Sequence, residues 1–166
     1  MLFNSYMGVY AFMEKELSGP TEEKIREFEI KRDKLMTMGG ETMIQRQHEL
    51  EKLSARERLD ILFDAGTFQE SQLFVKHHST LFGMEKKEIA GDGVITGFGK
   101  VNGRIVFAAA QDFTSAGGSL GEMHAKKIWK VMDMAIAAGK PFIALNDSGG
   151  ARIQEGVPSL DGCGGI

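Results

Sequence analysis

The 166 residues include a single cysteine, Cys163. One thiol excludes a disulfide framework within the chain and any zinc ribbon built from several cysteines, and no metal site is expected. It also fits a reducing compartment, so the expected location is cytoplasmic. An excess of one charge is missing as well: 20 Lys and Arg against 23 Asp and Glu leave a formal charge of -3. Nothing in that balance points to nucleic acid as a partner. Long apolar runs are absent too. The opening "MLFNSYMGVYAFM" carries no basic leading region and no clear cleavage site, and it falls short of the roughly 20 apolar residues that span a bilayer. At Met13 the character turns polar. Either Met13 is the natural start and residues 1–12 are an upstream reading, or residues 1–12 are a frayed terminus.

What is present begins with charge. Ten basic and twelve acidic residues interleave between positions 14 and 60, which suits helices with solvated faces over a domain spanning about 13–66. Pro20 and Thr21 open a helical pattern with Ile25, Phe28, Arg32 and Leu35 on one face, stopped by Gly39 and Gly40. A second helix is predicted from about Glu41 to Lys52. Ser54 and Glu57 form a capping box for a third, with Gly66 as its stop.

After Gly66 the period changes, and residues 67–166 read as an α/β domain. "FQESQLFV" predicts a strand. Val94–Lys100 and Arg104–Asp112 predict a hairpin around Asn102-Gly103, because a type I′ turn needs positive φ at both central positions. "RIVFAAA" is nearly continuous in apolar residues, as expected of a strand covered on both faces. Ser119 and Glu122 predict another capping box. The helix behind it carries Leu120, Met123, Lys127, Val131, Met134 and Ala138 on one row and ends at Gly139, before a strand from Pro141. Strand, glycine turn, helix, strand is a βαβ crossover, so its two strands should be parallel and its hand right.

Two turns share one build. "QDFTSAGGSLGE" (111–122) and "LNDSGGARIQEG" (145–156) each follow an apolar strand, contain Gly-Gly and lead into helix-compatible sequence. Ligands of α/β sheets bind beyond the carboxyl ends of strands, where both turns sit. Glycine lets backbone N–H groups approach a ligand, and helix N-termini add unsatisfied donors. Converging, the turns could each give an amide to one developing oxyanion; alternatively, the glycines only permit tight turns. Ser148 in "NDSGG" resembles a nucleophile, but no histidine stands in a triad-like context, so it is read as supporting the turn. His124 is read as packed or solvent-facing.

"LSARERLDILFDAGTFQE", "GDGVITGFGKVNGRIVFAAAQDFTSAGGSLGEMHAKKI" and "LNDSGGARIQEGV" together resemble the carboxyltransferase subunit of biotin-dependent acyl-CoA carboxylases, in the propionyl-CoA and methylmalonyl-CoA group. The resemblance covers about residues 20–160. The lone cysteine sets the chain apart from the zinc-ribbon-bearing β subunit of split bacterial acetyl-CoA carboxylase. The resemblance implies a crotonase-like α/β fold that binds acyl-CoA over the strand ends. It implies carboxyl transfer between biotin and the α-carbon of a short acyl-CoA, with the biotin on a carrier domain. By position, the amides of Gly117 or Gly118 and of Gly150 or Ala151 would hold the thioester oxygen as the enolate forms. Gly149 and Arg152 would lie beside the ligand, Arg152 organising the turn or meeting the anion. Arg56 and Arg58 would reach the CoA phosphates, unless they only pair with Glu57 or Asp60. Partners implied are acyl-CoA, a biotin carboxyl carrier domain and further carboxyltransferase subunits in a homo-oligomer. The location implied is the cytoplasm, free or attached to a membrane decarboxylase complex.

Members of that family are several times longer, in two similar halves. Pro158, Asp161, Cys163 and Gly165 depart from the family pattern, which predicts a truncated or frame-disturbed product. An apolar strand edge would then lie open, with poor solubility and no carboxyl transfer by the chain alone. Two other functions fit the residues: a crotonase-type hydrolase or isomerase using Glu122 or Glu155 as acid–base group, and a non-catalytic module packing its charged helices on a partner.

Overall fold

The structure, a computed structural model, describes residues 19–166. The readings of residues 1–12 and of a start at Met13 lie outside the described residues. The chain divides into two compact units after Lys34. Helix α1 (Pro20–Met36) accounts for the described part of the first unit. Proline suits a first helical position, where its missing N–H is not needed, and Glu22, Glu23 and Lys34 complement the helix dipole. Ile25 and Phe28, predicted to share a packing face with Leu35, are half exposed; of the helix only Leu35 is buried.

The second unit, Leu35–Ile166, holds α2 (Glu41–Glu49), α3 (Ala55–Leu62) and a four-stranded sheet. At α3 the capping box forms: the Ser54 hydroxyl accepts from the Glu57 amide, and the Glu57 carboxylate accepts from the Ser54 amide at 2.7 Å. Replacing Ser54 with alanine is expected to destabilise the unit by about 1 kcal/mol, read as a lower urea midpoint at unchanged slope. The helix stops at Leu62 rather than Gly66, because Phe63 turns extended and stacks on Phe68 with ring centroids 5.0 Å apart.

The strands are β1 (Gln69–Ser71), β2 (Val94–Val101), β3 (Arg104–Gln111) and β4 (Phe142–Leu145), in spatial order β1-β2-β3-β4. β1 is shorter than the sequence predicted, for the chain leaves the sheet at Gln72, where φ is 62°. β2 and β3 form the expected hairpin, with Asn102 at φ 50° and Gly103 at φ 76°. The Asp64 carboxylate accepts from both turn amides, at 2.9 and 2.8 Å. β3 runs parallel to β4, with α4 (Glu122–Ala138) between them, and Gly139 ends that helix in the left-handed region. α5 (Val157–Gly165) follows the second glycine turn.

Alternation along β3 explains its unbroken apolar run. Val106, Ala108 and Ala110 face a cluster with Ala55, Leu59 and Phe63 of the α3 segment. Phe107 and Ala109 face the other way, onto Ile128, Val131 and Ala135 of α4. The sheet is thus covered on both sides, and the carboxyl ends of β3 and β4 point to the same edge, where the glycine turns leave. Among the described residues, β4 is an edge strand of the sheet.

Candidate active site

The two glycine turns are bonded to each other. The Gly149 amide donates to the Gly117 carbonyl at 2.8 Å; the Leu120 amide donates to the Gly150 carbonyl at 2.9 Å, and the Arg152 amide to the Leu120 carbonyl at 2.8 Å. Leu120 and Ala151 therefore form a short parallel bridge. Contact is so close that a Cβ on Gly118 would lie 2.2 Å from the Asp147 carbonyl oxygen. On the open side, a Cβ on Gly117 or Gly150 would meet nothing within 4 Å. The Gly118 amide donates to the Ser115 carbonyl and the Gly150 amide to the Ser148 hydroxyl, both at 3.0 Å. The amides of Gly117 and Ala151 take no part in these bonds. A cavity of about 600 Å³ opens beside the turns, lined in part by Gln111, Leu120, Asn146 and Ser148.

Ser148 supports the turn, as the sequence predicted. His124 cannot serve it as a base: the ring is buried, its Nδ1 lies 2.8 Å from the Asp92 carbonyl and its Nε2 3.2 Å from the Gln111 amide nitrogen. That pairing makes Nδ1 the donor and Nε2 the acceptor. Burial holds the His124 pKa down at about 3, so the ring is neutral.

Arg152 lies inside, 2% exposed. Its Nη1 donates to Asp92 Oδ1 at 2.5 Å and Glu155 Oε1 at 2.7 Å, its Nη2 to the Ser119 and Asp92 carbonyls, and its Nε to the Ser119 hydroxyl. All five guanidinium hydrogens are thereby used. Of the two roles predicted for Arg152, the geometry fits organising the turn and leaves no donor for an anion.

Arg56 binds Glu70 at 2.8 Å and the Met36 carbonyl at 2.6 Å, so neither predicted partner, Glu57 nor Asp60, holds it. Arg58 donates to the carbonyls of Gln111 and Leu145, the last residues of β3 and β4. The structure thus places Arg58 at the strand ends beside the turns, and Arg56 away on the β1 side. Lys52, unassigned by the sequence, pairs with Asp147 of the second turn at 2.7 Å and lies over the Phe113 ring. The Gly39 amide donates to the Thr114 hydroxyl of the first turn at 3.2 Å.

The predicted Ser119–Glu122 capping box does not form. Gly121 is the cap residue of α4, and the Ser119 hydroxyl turns to the Ala116 carbonyl and the Arg152 side chain. The helix amides are capped from a distance: Glu122 N–H by Glu155 Oε2 and His124 N–H by Asp92 Oδ2, both at 2.7 Å. Glu155 is therefore bound on both oxygens and buried. Glu122 pairs with Lys126, and that bond holds its carboxyl below the ordinary range. Neither carboxylate is placed as the free acid–base group that a hydrolase or isomerase would need.

Sequence reasoning missed Asp92 and the burial of Lys127. Gly91, Asp92 and Gly93 all have positive φ, and the Asp92 side chain is fully buried. Burial raises the Asp92 carboxyl pKa while the Arg152 guanidinium pulls it back. Lys127 donates to the Gly91 and Val94 carbonyls at 2.6 and 2.5 Å, and burial lowers its pKa to about 8. The available signal was a lysine inside an apolar helical row.

Residues 46–166 match the family described as carboxyl transferase domain. The methylmalonyl-CoA decarboxylase subunit alpha of Propionigenium modestum is 54% identical over 144 residues, which are 87% of this chain and 28% of that protein. The mitochondrial propionyl-CoA carboxylase beta chain of Homo sapiens is 54% identical over 136 residues, 81% of this chain and 25% of that one. Among solved structures, a transcarboxylase 12S with methylmalonyl-coenzyme A and methylmalonic acid bound matches with a TM-score of 0.85 at 45% identity, over 89% of this chain and 29% of that one. The chain spans about 28% of the length of the first of these relatives. Among the described residues, no helix is long and apolar enough to cross a membrane.

Proposed function

The chain belongs to the carboxyl transferase domain family and has its crotonase-like fold, and from that premise we propose that it forms the acyl-CoA-binding part of a carboxyltransferase acting on propionyl-CoA or methylmalonyl-CoA. The observation that carries this reading is the direct bonding of the two glycine turns at the carboxyl ends of β3 and β4. Two turns fixed at that edge can present amides to a single thioester oxygen.

The Gly117 and Ala151 N–H groups are the proposed donors, since the bonds between and within the turns leave both unused. The Gly118 and Gly150 amides would first have to leave Ser115 and Ser148. As the α-carbon loses its proton, charge grows on the thioester oxygen, and a preorganised donor aimed at it stabilises the transition state by roughly 3–4 kcal/mol. No side-chain nucleophile is required. Gly117 and Gly150 keep the approach clear of side chains, while Asp147 and Ser148 shape the turn.

When bound, carboxybiotin carried on another domain or protein would supply CO2 for the α-carbon and, once that carboxyl group had left it, a ureido nitrogen able to take the α-proton. The residues of this chain fit the acyl-CoA side of that reaction: glycines opening onto free space, and Arg58 bringing positive charge to the strand ends. Further carboxyltransferase subunits and the carrier domain are the proposed partners.

Binding tests the reading. The 166-residue chain is expected to bind propionyl-CoA and to bind the nitronate of 2-nitropropionyl-CoA, an enolate mimic, roughly a hundredfold more tightly. Calorimetric titration of both ligands measures the ratio; equal affinities, or none for either, overturn the proposal.

A further inference from the structure

Burying charge is a poor way to gain stability, because desolvation offsets the attraction. Yet four charged side chains lie together under the glycine turns. Asp92, Arg152 and Glu155 are 0%, 2% and 4% exposed, and Lys127 is fully buried beside the same Gly91–Gly93 turn. Two acids and two bases leave the group neutral.

The group's connections are long-range. Arg152 belongs to the second glycine turn, and its side chain grips the first through the Ser119 carbonyl, at 2.7 Å, and hydroxyl, at 3.2 Å. Asp92 belongs to the turn entering β2. Its other oxygen and that of Glu155 cap α4, the helix that grows out of the first glycine turn. Lys127 returns from α4 to the carbonyls of Gly91 and Val94. Space around the group is already full: a Cβ on Gly121 would lie 2.5 Å from Arg152 Nη1 and 2.6 Å from Glu155 Oε1. None of this reaches the open side of Gly117 or Gly150.

We propose that Asp92, Arg152 and Glu155 are positioning residues: a buried ionic clasp fixes the first glycine turn against the second and so sets where their free amides point. This rests on the reading of the turns as an oxyanion site. The planar guanidinium suits the task, since its five hydrogens leave in fixed directions and lock several acceptors at once, whereas an ammonium is a point charge. The clasp touches no substrate. Its effect is on the developing oxyanion, which needs both amides aligned, rather than on the ground-state thioester.

The test compares Arg152→Lys, which keeps the charge and loses the fork, with the isosteric Glu155→Gln, each checked for folding by circular dichroism. Titrations with propionyl-CoA and with the nitronate of 2-nitropropionyl-CoA give two dissociation constants per variant. Propionyl-CoA affinity is expected to stay within about threefold of the parent chain. The nitronate preference should fall at least tenfold in R152K and by a smaller factor in E155Q. A folded variant that keeps the full preference overturns the clasp, as does one that loses affinity for both ligands by the same factor. If neither variant folds, the network is a stability element and the inference is likewise overturned. A parent chain without nitronate preference, by contrast, ends the oxyanion reading itself.

Discussion

Alanine in place of Gly118 is expected to destabilise the chain by about 4 kcal/mol, and alanine in place of Gly117 by only about 1 kcal/mol. Both glycines have positive φ, 59° and 64°, so each substitution incurs the cost of a left-handed L-residue. They differ in what the new methyl meets. At Gly118 it would lie 2.2 Å from the Asp147 carbonyl oxygen, a backbone atom of the other turn, and the two turns must separate to admit it. At Gly117 it would enter free space. Urea titration of both variants measures the difference, and the proposed site adds a second readout. G118A should lose the nitronate preference because its turns have moved apart. Equal costs at the two positions would mean that the turns do not hold each other as described.

The second large effect is acid sensitivity. Burial, aided by the charges of Arg152 and Lys127, holds His124 near a pKa of 3, against 6.5 when exposed. Below pH 6.5 the unfolded chain binds a proton that the folded chain refuses, so stability falls as pH drops from 6.5 toward 3. The full difference amounts to roughly 5 kcal/mol, and all of it has been lost once the pH reaches about 3. Glu57, held down at about 2 mainly by its bond to His48, adds stability that is present above 4.5 and lost as pH falls toward 2; its side chain is 39% exposed, so screening keeps the contribution small. His124→Asn retains a donor for the Asp92 carbonyl and removes the titrating ring. Thermal melts from pH 7 to 4 should show a steep decline for the parent chain and a much flatter one for the variant. Parallel declines would assign the acid loss elsewhere.

These two effects mark where sequence reading succeeds and where it stops. Local signals carried through: Asn102-Gly103 made its hairpin, Ser54 and Glu57 their capping box, and Gly139 its helix end, since each depends on residues within a few positions. The nearly continuous apolar run of "RIVFAAA" foretold a strand covered on both faces for the same reason. The clasp had no such signature. Asp92 stands in "AGDGV", which reads as a lead-in to a strand, and its partner Arg152 is 60 residues away. The cap of α4 shows the conflict directly. Ser119 and Glu122 had the spacing of a local box, but carboxylates from Asp92 and Glu155 took the helix amides and drew Ser119 to Arg152 instead. β1 failed by another route: "FQESQLFV" has strand composition, but Gln72 adopts a left-handed turn that no propensity scale encodes.

One feature of the helical lead bears on how the molecule comes together. Gly39 holds Thr114 across 75 residues, Arg58 holds Leu145 across 87, and Lys52 holds Asp147 across 95. Closing loops of that span must precede any reward from the contacts they bring, which makes such topologies slow to fold. Closure of those contacts against the glycine bends is therefore expected to lag the local β2–β3 hairpin. A chain that lacked this closure would keep its local hairpin and helices yet hold no fixed seat for a thioester.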